Sequence, residues 1–183
     1  MNAAVDLSPS RSNTLALGIC MLLLGARLLL LNQGAVTLWL LGTIYVSILV
    51  ISRPALTKTT LHQARMPLAL GILSVALVRL LLAAPVQSRS TGAGVVISLL
   101  AAVAEEGLFR GALFARLEPL GQDLAIVASA TAFALVHVPF YGLRALPIDF
   151  GAGLLFGWQR SDSGSWTVPA ATHAFANLMA VLP

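Results

Sequence analysis

Charge is the scarcest property of this 183-residue chain: Asp, Glu, Lys and Arg together make up only 10% of it, against about 25% in an ordinary soluble domain. So few charges exclude a disordered chain, which stays unfolded because it is polar and charged. With 58% hydrophobic residues and a mean hydropathy of +0.90, they also exclude a soluble enzyme. A soluble domain of this size buries about 70% of its unfolded surface, so apolar residues in this number must also cover the outside. Lysine occurs once, at Lys58, and the other ten basic residues are arginines scattered singly. That pattern lacks the clustered footprint of a nucleic-acid partner. Cysteine also occurs once, as Cys20 in an apolar run. An intrachain disulfide is excluded, and Cys20 is expected to serve packing. There is no 20–50-residue repeat, no low-complexity tract and no long polar linker.

What is present is a succession of apolar stretches of about the length needed to cross a bilayer. Seven are placed near 13–31, 34–52, 66–84, 93–115, 123–141, 145–160 and 166–182, and the sixth is short enough to be tilted or re-entrant. The expected fold class is all-α, a polytopic membrane helical bundle of about seven transmembrane helices. A polar tail covers 1–12, membrane helices cover 13–90, and a core carrying the chemistry covers 91–183. The first apolar run is longer than a signal-peptide h-region and lacks a small-residue cleavage site, so it reads as the first membrane helix. A cytoplasmic N-terminus puts Arg11, Arg53, Lys58, Arg65, Arg116 and Arg160 inside and only Arg89 and Arg144 outside, as the positive-inside rule favours. Arg27 and Arg79 lie about one turn from helix ends and are expected to snorkel toward headgroups, with interhelical pairing as the alternative. His62, in the polar stretch after the second helix, reads as solvated.

The chemistry is concentrated where charge is most costly. VVISLLAAVAEEGLFRGALFA, residues 95–115, carries Glu105, Glu106 and Arg110 in its middle, and each charge near a bilayer centre costs about 2.5–3.5 kcal/mol even on the lenient insertion scale. Glu106 and Arg110 are i and i+4 with the acid N-terminal, the favourable ion-pair order. Glu105 is rotated about 100° away and is expected to be unpaired and free to react. TAFALVHVPF places His137 four residues after Phe133, and ATHAFANLMA places His173 and Asn177 on one helical face. A glutamate can take a proton from water, a histidine can relay it, and imidazole and amide N–H groups can stabilise an oxyanion. This set suits acyl hydrolysis by activated water. No serine stands in a nucleophile-elbow setting, and Cys20 has no evident base. Zinc is the main competitor, but HExxH is absent and Arg110 disfavours a dication, so neither metal nor cofactor is expected. Intramembrane acids and histidines also build proton relays, so a proton-coupled transporter stays open beside the enzyme reading, as does a non-catalytic immunity or peptide-sequestering protein.

EEGLFR at 105–110 resembles the EExxxR motif of the CPBP intramembrane proteases, which include the eukaryotic CAAX-prenyl endopeptidase and bacterial bacteriocin-processing or immunity homologues. FALVH at 133–137 is similar to their FxxxH motif and HAFAN at 173–177 to their HxxxN motif, in the same order; FGAGLLFG at 150–157 resembles their small-residue segment. The resemblance covers 92–183. It implies an all-helical membrane fold with the motifs meeting in a cavity, and glutamate-dependent endopeptidase activity on a membrane-associated peptide or protein, although the family has carried a metalloprotease label. Glu105 and His137 would activate water, His173 and Asn177 would form the oxyanion site, and Glu106 and Arg110 would support the geometry. Prenylated, bacteriocin-type and C-terminal sorting-signal peptides are the substrate classes it suggests, the last from the loop VPFYGLRALPIDF. The expected location is a multi-pass place in a cell membrane, of the bacterial inner-membrane kind. Asp149 reads as the N-cap of the sixth helix or a substrate-contacting acid. Gly151, Gly153 and Gly157 read as close-packing positions.

Overall fold

The computed structural model describes residues 11–30, 36–82 and 91–181; the first ten residues of the polar tail and Arg89 lie outside them. Helix α1 (Arg11–Ala26) runs into a 3-10 turn, Arg27–Leu30, and is followed by α2 (Val36–Ser52) and α3 (Leu61–Leu82). The fourth rod is α4 (Gly92–Glu106), a π-helical stretch (Gly107–Leu113) and α5 (Phe114–Leu117) in unbroken succession. Then come α6 (Gln122–Tyr141), α7 (Leu146–Ser163) and α8 (Thr167–Val181). Among the described residues there are no strands, so the seven expected segments are seven helical rods. Three are long and apolar enough to cross a membrane, Leu61–Leu81, Gly92–Leu120 and Gln122–Tyr141, while Thr14–Leu30 and Thr37–Ser52 are shorter apolar helices.

Polarity is arranged inside out relative to a soluble protein. Leu22, Trp39 and Leu80 are 76%, 83% and 77% exposed, whereas Arg27, Glu105, Glu106, Arg110, His137 and His173 are buried. A soluble chain cannot leave so large an apolar surface uncovered; a membrane bundle can, because lipid tails accept it and the polar groups turn inward. The chain is thus a helical membrane bundle.

Local chemistry sets the helix limits. Thr60 and Gln63 form a capping box at the start of α3: Gln63 N donates to Thr60 Oγ1 at 3.3 Å and Thr60 N donates to Gln63 Oε1 at 3.0 Å. Thr91 Oγ1 accepts Gly94 N at 3.2 Å and starts α4. Gly164, at φ +69°, ends α7 in the left-handed conformation that glycine adopts without strain. The α2–α3 connection straps the α7–α8 turn: Thr57 Oγ1 donates to Gly164 O at 2.7 Å, Thr59 Oγ1 to Ser163 O at 2.8 Å, and Trp166 Nε1 to Ala55 O at 3.0 Å. Arg160 reaches Glu118 at 3.7 Å, so Arg53, Lys58, Arg116 and Arg160 are all carried by segments that meet at one end. Helix α7 begins beside the end of α6 and finishes in this strap, so it runs the length of the bundle.

Close approach of α6 and α7 depends on glycine. A Cβ at Gly153 would sit 2.9 Å from Ala130 Cα, and one at Gly157 would sit 3.3 Å from Ile126 Cα. Gly151 departs from the packing expectation, because a Cβ there meets nothing within 4 Å; it lines an apolar groove with Val75, Ile148 and Met179. Asp149 also departs from its N-cap reading. Ala145 holds that position, Pro147 follows in the first turn, and Asp149 lies inside the helix; proline is favoured at such early helical positions. Cys20 is fully buried with Sγ 3.7 Å from Ile48 O, as a packing residue should be, and His62 is exposed.

Candidate active site

The last turn of α4 delivers the adjacent glutamates to two environments. Glu106 is fully buried; its Oε1 accepts Arg110 Nη1 at 3.0 Å and faces His173 Nδ1 at 3.0 Å. Arg110 donates again from Nη2 to Gly153 O at 2.9 Å, and its guanidinium lies 4.7 Å from the Phe133 ring centroid and 5.3 Å from that of Phe156. The expected i,i+4 pair is therefore present, and it ties α4 to α7 and α8. Arg110 lies within the π-helical stretch, where the Phe114 amide reaches back five residues to Phe109 O. An α-helix would have used Arg110 O for that bond. Arg160 Nε donates to Arg110 O instead, at 3.1 Å, so the side chain of α7 satisfies the carbonyl that the wide turn passes over.

Glu105 points the other way, into a cavity of about 480 Å³ whose wall includes Arg27, Tyr45, Glu105, His137, Tyr141, His173 and Asn177. The four residues expected to do the chemistry thus share one cavity. Glu106 and Arg110 stand behind its wall rather than in it. Glu105 is not unpaired, however. Its Oε1 accepts a hydrogen bond from Arg27 Nη1, and its Oε2 lies 3.5 Å from His137 Nε2. Arg27 in turn does not snorkel. It is 6% exposed, lies 3.4 Å from the Tyr45 hydroxyl, and stacks its guanidinium 4.5 Å over the Phe140 ring.

The histidine partners assign their protons. His137 Nδ1 is 2.8 Å from Phe133 O, a carbonyl that can only accept, and His173 Nδ1 faces the Glu106 carboxylate, which also accepts when ionised. Both Nδ1 atoms therefore carry hydrogen, and in the neutral rings both Nε2 atoms present lone pairs. The rings are held by stacking, His137 on Tyr141 at 5.9 Å and His173 on Phe156 at 5.2 Å. Asn177 Nδ2 donates to Ser98 O at 2.9 Å, so the amide expected to meet an oxyanion is engaged with α4 in this state.

A metal ion needs several convergent ligands. Among the described residues no group of three or more His, Cys, Asp or Glu side chains is placed to hold one, and the guanidinium of Arg27 occupies one oxygen of Glu105 where a cation would bind. Tyr45 carries no signal in the sequence, and for Arg27 the structure shows interhelical pairing, the alternative to snorkelling, with Glu105 as its partner. An arginine near a helix end gives no sign of a partner 78 positions away; the one available signal was its place among so few charges.

No curated protein matches this chain, and no solved structure does. A family model described as type II CAAX prenyl endopeptidase Rce1-like matches residues 87–179, just over half of it, including all three polar motifs and the cavity walls they form. On that match, the chain belongs to the Rce1-like family of CAAX prenyl endopeptidases, a protease family.

Proposed function

We propose that this chain is a glutamic-type intramembrane endopeptidase that hydrolyses a peptide bond of a membrane-associated protein or peptide with water activated by Glu105 and His137. The observation that carries this reading is the facing of Glu105 Oε2 and His137 Nε2 at 3.5 Å in a cavity wall. Both atoms accept hydrogen bonds, and one water can donate to both while its oxygen lone pair points away from them toward a substrate carbonyl. Attack moves one water proton to this pair and leaves a tetrahedral oxyanion. Collapse breaks the C–N bond, and the held proton passes to the departing amine, so one water and one peptide give one carboxylic acid and one amine.

In this reading His173 and Asn177 receive the oxyanion. Glu106 fixes the His173 ring through its Nδ1–H, and Asn177 joins when substrate turns its amide away from Ser98 O. Metal plays no part, and substrate and lipid are the partners. The site lies in a multi-pass protein of a cell membrane of the bacterial inner-membrane kind, with the Arg53, Lys58, Arg116 and Arg160 end on the cytoplasmic side. Prenylated, bacteriocin-type and C-terminal sorting-signal peptides are the substrate classes to be separated. The test compares protein termini in membranes of cells carrying wild-type protein or Glu105→Gln. One precursor is expected to persist in the variant and its new terminus to appear only with wild type. Identical termini in both would overturn the assignment.

A further inference from the structure

Arg27 opens the 3-10 turn after α1, far outside the family-matched residues 87–179, yet its side chain ends on the carboxylate that the proposed mechanism uses. A carboxylate is planar and its two oxygens are rigidly disposed, so a bond that pins Oε1 also sets the direction of Oε2. With Oε1 on Arg27, Oε2 faces His137 Nε2 at 3.5 Å. Arg27 is itself fixed from two further sides, by the Tyr45 hydroxyl at 3.4 Å and by the Phe140 ring at 4.5 Å. It also supplies charge. Glu105 is 3% exposed, and a buried carboxylate without a cation takes up a proton rather than remain charged. Arg110, the guanidinium of the matched region that follows the two glutamates on the same rod, is committed to Glu106 and Gly153 O.

We infer that Arg27 is a positioning residue of the site: it holds one oxygen of Glu105, turns the other toward His137, and makes the first helix part of the catalytic unit. This rests on the proposed role of Glu105. The inferred role is to place the base, not to bind substrate, so loss of Arg27 is expected to act on kcat.

Two measurements test it. With the peptide that the termini comparison identifies, Arg27→Gln in proteoliposomes is expected to lower kcat about 100-fold, the scale of a misplaced catalytic group, with KM changed less than threefold. Arg27→Lys, which keeps the charge but not the planar fork, should recover at least tenfold of that loss. Unchanged kcat, or a raised KM at unchanged kcat, would overturn the inference. The second measurement needs no substrate. Dicyclohexylcarbodiimide, which modifies protonated carboxyls, should label Glu105 in Arg27→Gln and leave it unlabelled in wild type, as read by peptide mass; equal labelling would overturn the inference. Should Arg27→Gln fail to fold, Tyr45→Phe removes one restraint on Arg27 and no charge, and should still lower kcat two- to fivefold; unchanged kcat there would count against the role. Labelling as expected, in a protein that cleaves nothing, would contradict the proposed function and leave the Arg27 pairing intact.

Discussion

Two glycines two residues apart on α7 should respond to alanine in opposite directions. At Gly153 the new Cβ would lie 2.9 Å from both Cα and Cβ of Ala130 and 3.1 Å from its carbonyl oxygen. These are backbone neighbours that cannot rotate away, so α7 must shift from α6 by about half an ångström, at the cost of overpacking, about 1–3 kcal/mol. The shift also moves the Gly153 carbonyl from Arg110 Nη2, 2.9 Å away, and a hydrogen bond to a charged group contributes about 1.5–3 kcal/mol. Set against a helix-propensity gain of about 1 kcal/mol for alanine over glycine, the net loss is about 1.5–5 kcal/mol. At Gly151 nothing lies within 4 Å of the new methyl, and only the propensity gain of up to about 1 kcal/mol remains. Denaturation in mixed dodecylmaltoside and SDS, followed by tryptophan fluorescence, gives both values. Gly153→Ala as stable as wild type, or Gly151→Ala less stable by more than about 1 kcal/mol, would refute the packing argument.

Glu106→Gln leaves Arg110 buried without its counter-charge and should cost about 3–5 kcal/mol, seen as a large fall of the thermal midpoint in detergent; an unchanged midpoint would contradict the structural role given to that pair. Arg160→Met strips the donor from Arg110 O and should destabilise by about 1–3 kcal/mol in the same measurement, with no loss expected if the π-helical stretch needs no outside partner. His137→Ala should lower cleavage by about 10²–10⁴-fold, the usual contribution of a general base, with folding retained.

Much of this architecture was legible because charge inside a membrane is so costly that its position carries information. Glu105, Glu106, Arg110, His137, His173 and Asn177 stand out against apolar runs, and in five of the seven helical rods the described ends lie within two residues of the expected ones. The sequence places the end of the sixth helix at 160, where apolar residues give way to polar ones; the structure continues it to Ser163, with Arg160 satisfied by Arg110 O and Glu118. The fifth and sixth rods meet through two of three similar glycines, and spacing alone does not tell which of them faces a neighbour. The π-helical stretch left no trace, since an i,i+4 acid–base pair reads the same in a regular helix. For Arg27 the structure favours interhelical pairing over snorkelling, and the sequence does not show which for a physical reason. One turn from a helix end, an arginine has water within reach, and only the folded chain shows that the carboxylate of α4 lies nearer.

In the proposed mechanism Glu105 is the base that activates water. Its most direct test is single-turnover cleavage, in proteoliposomes, of the precursor that accumulates in Glu105→Gln cells. Wild-type protein should cleave it, while folded Glu105→Gln should be slower by about 100-fold or more; cleavage by the variant at the wild-type rate would rule out that role for Glu105.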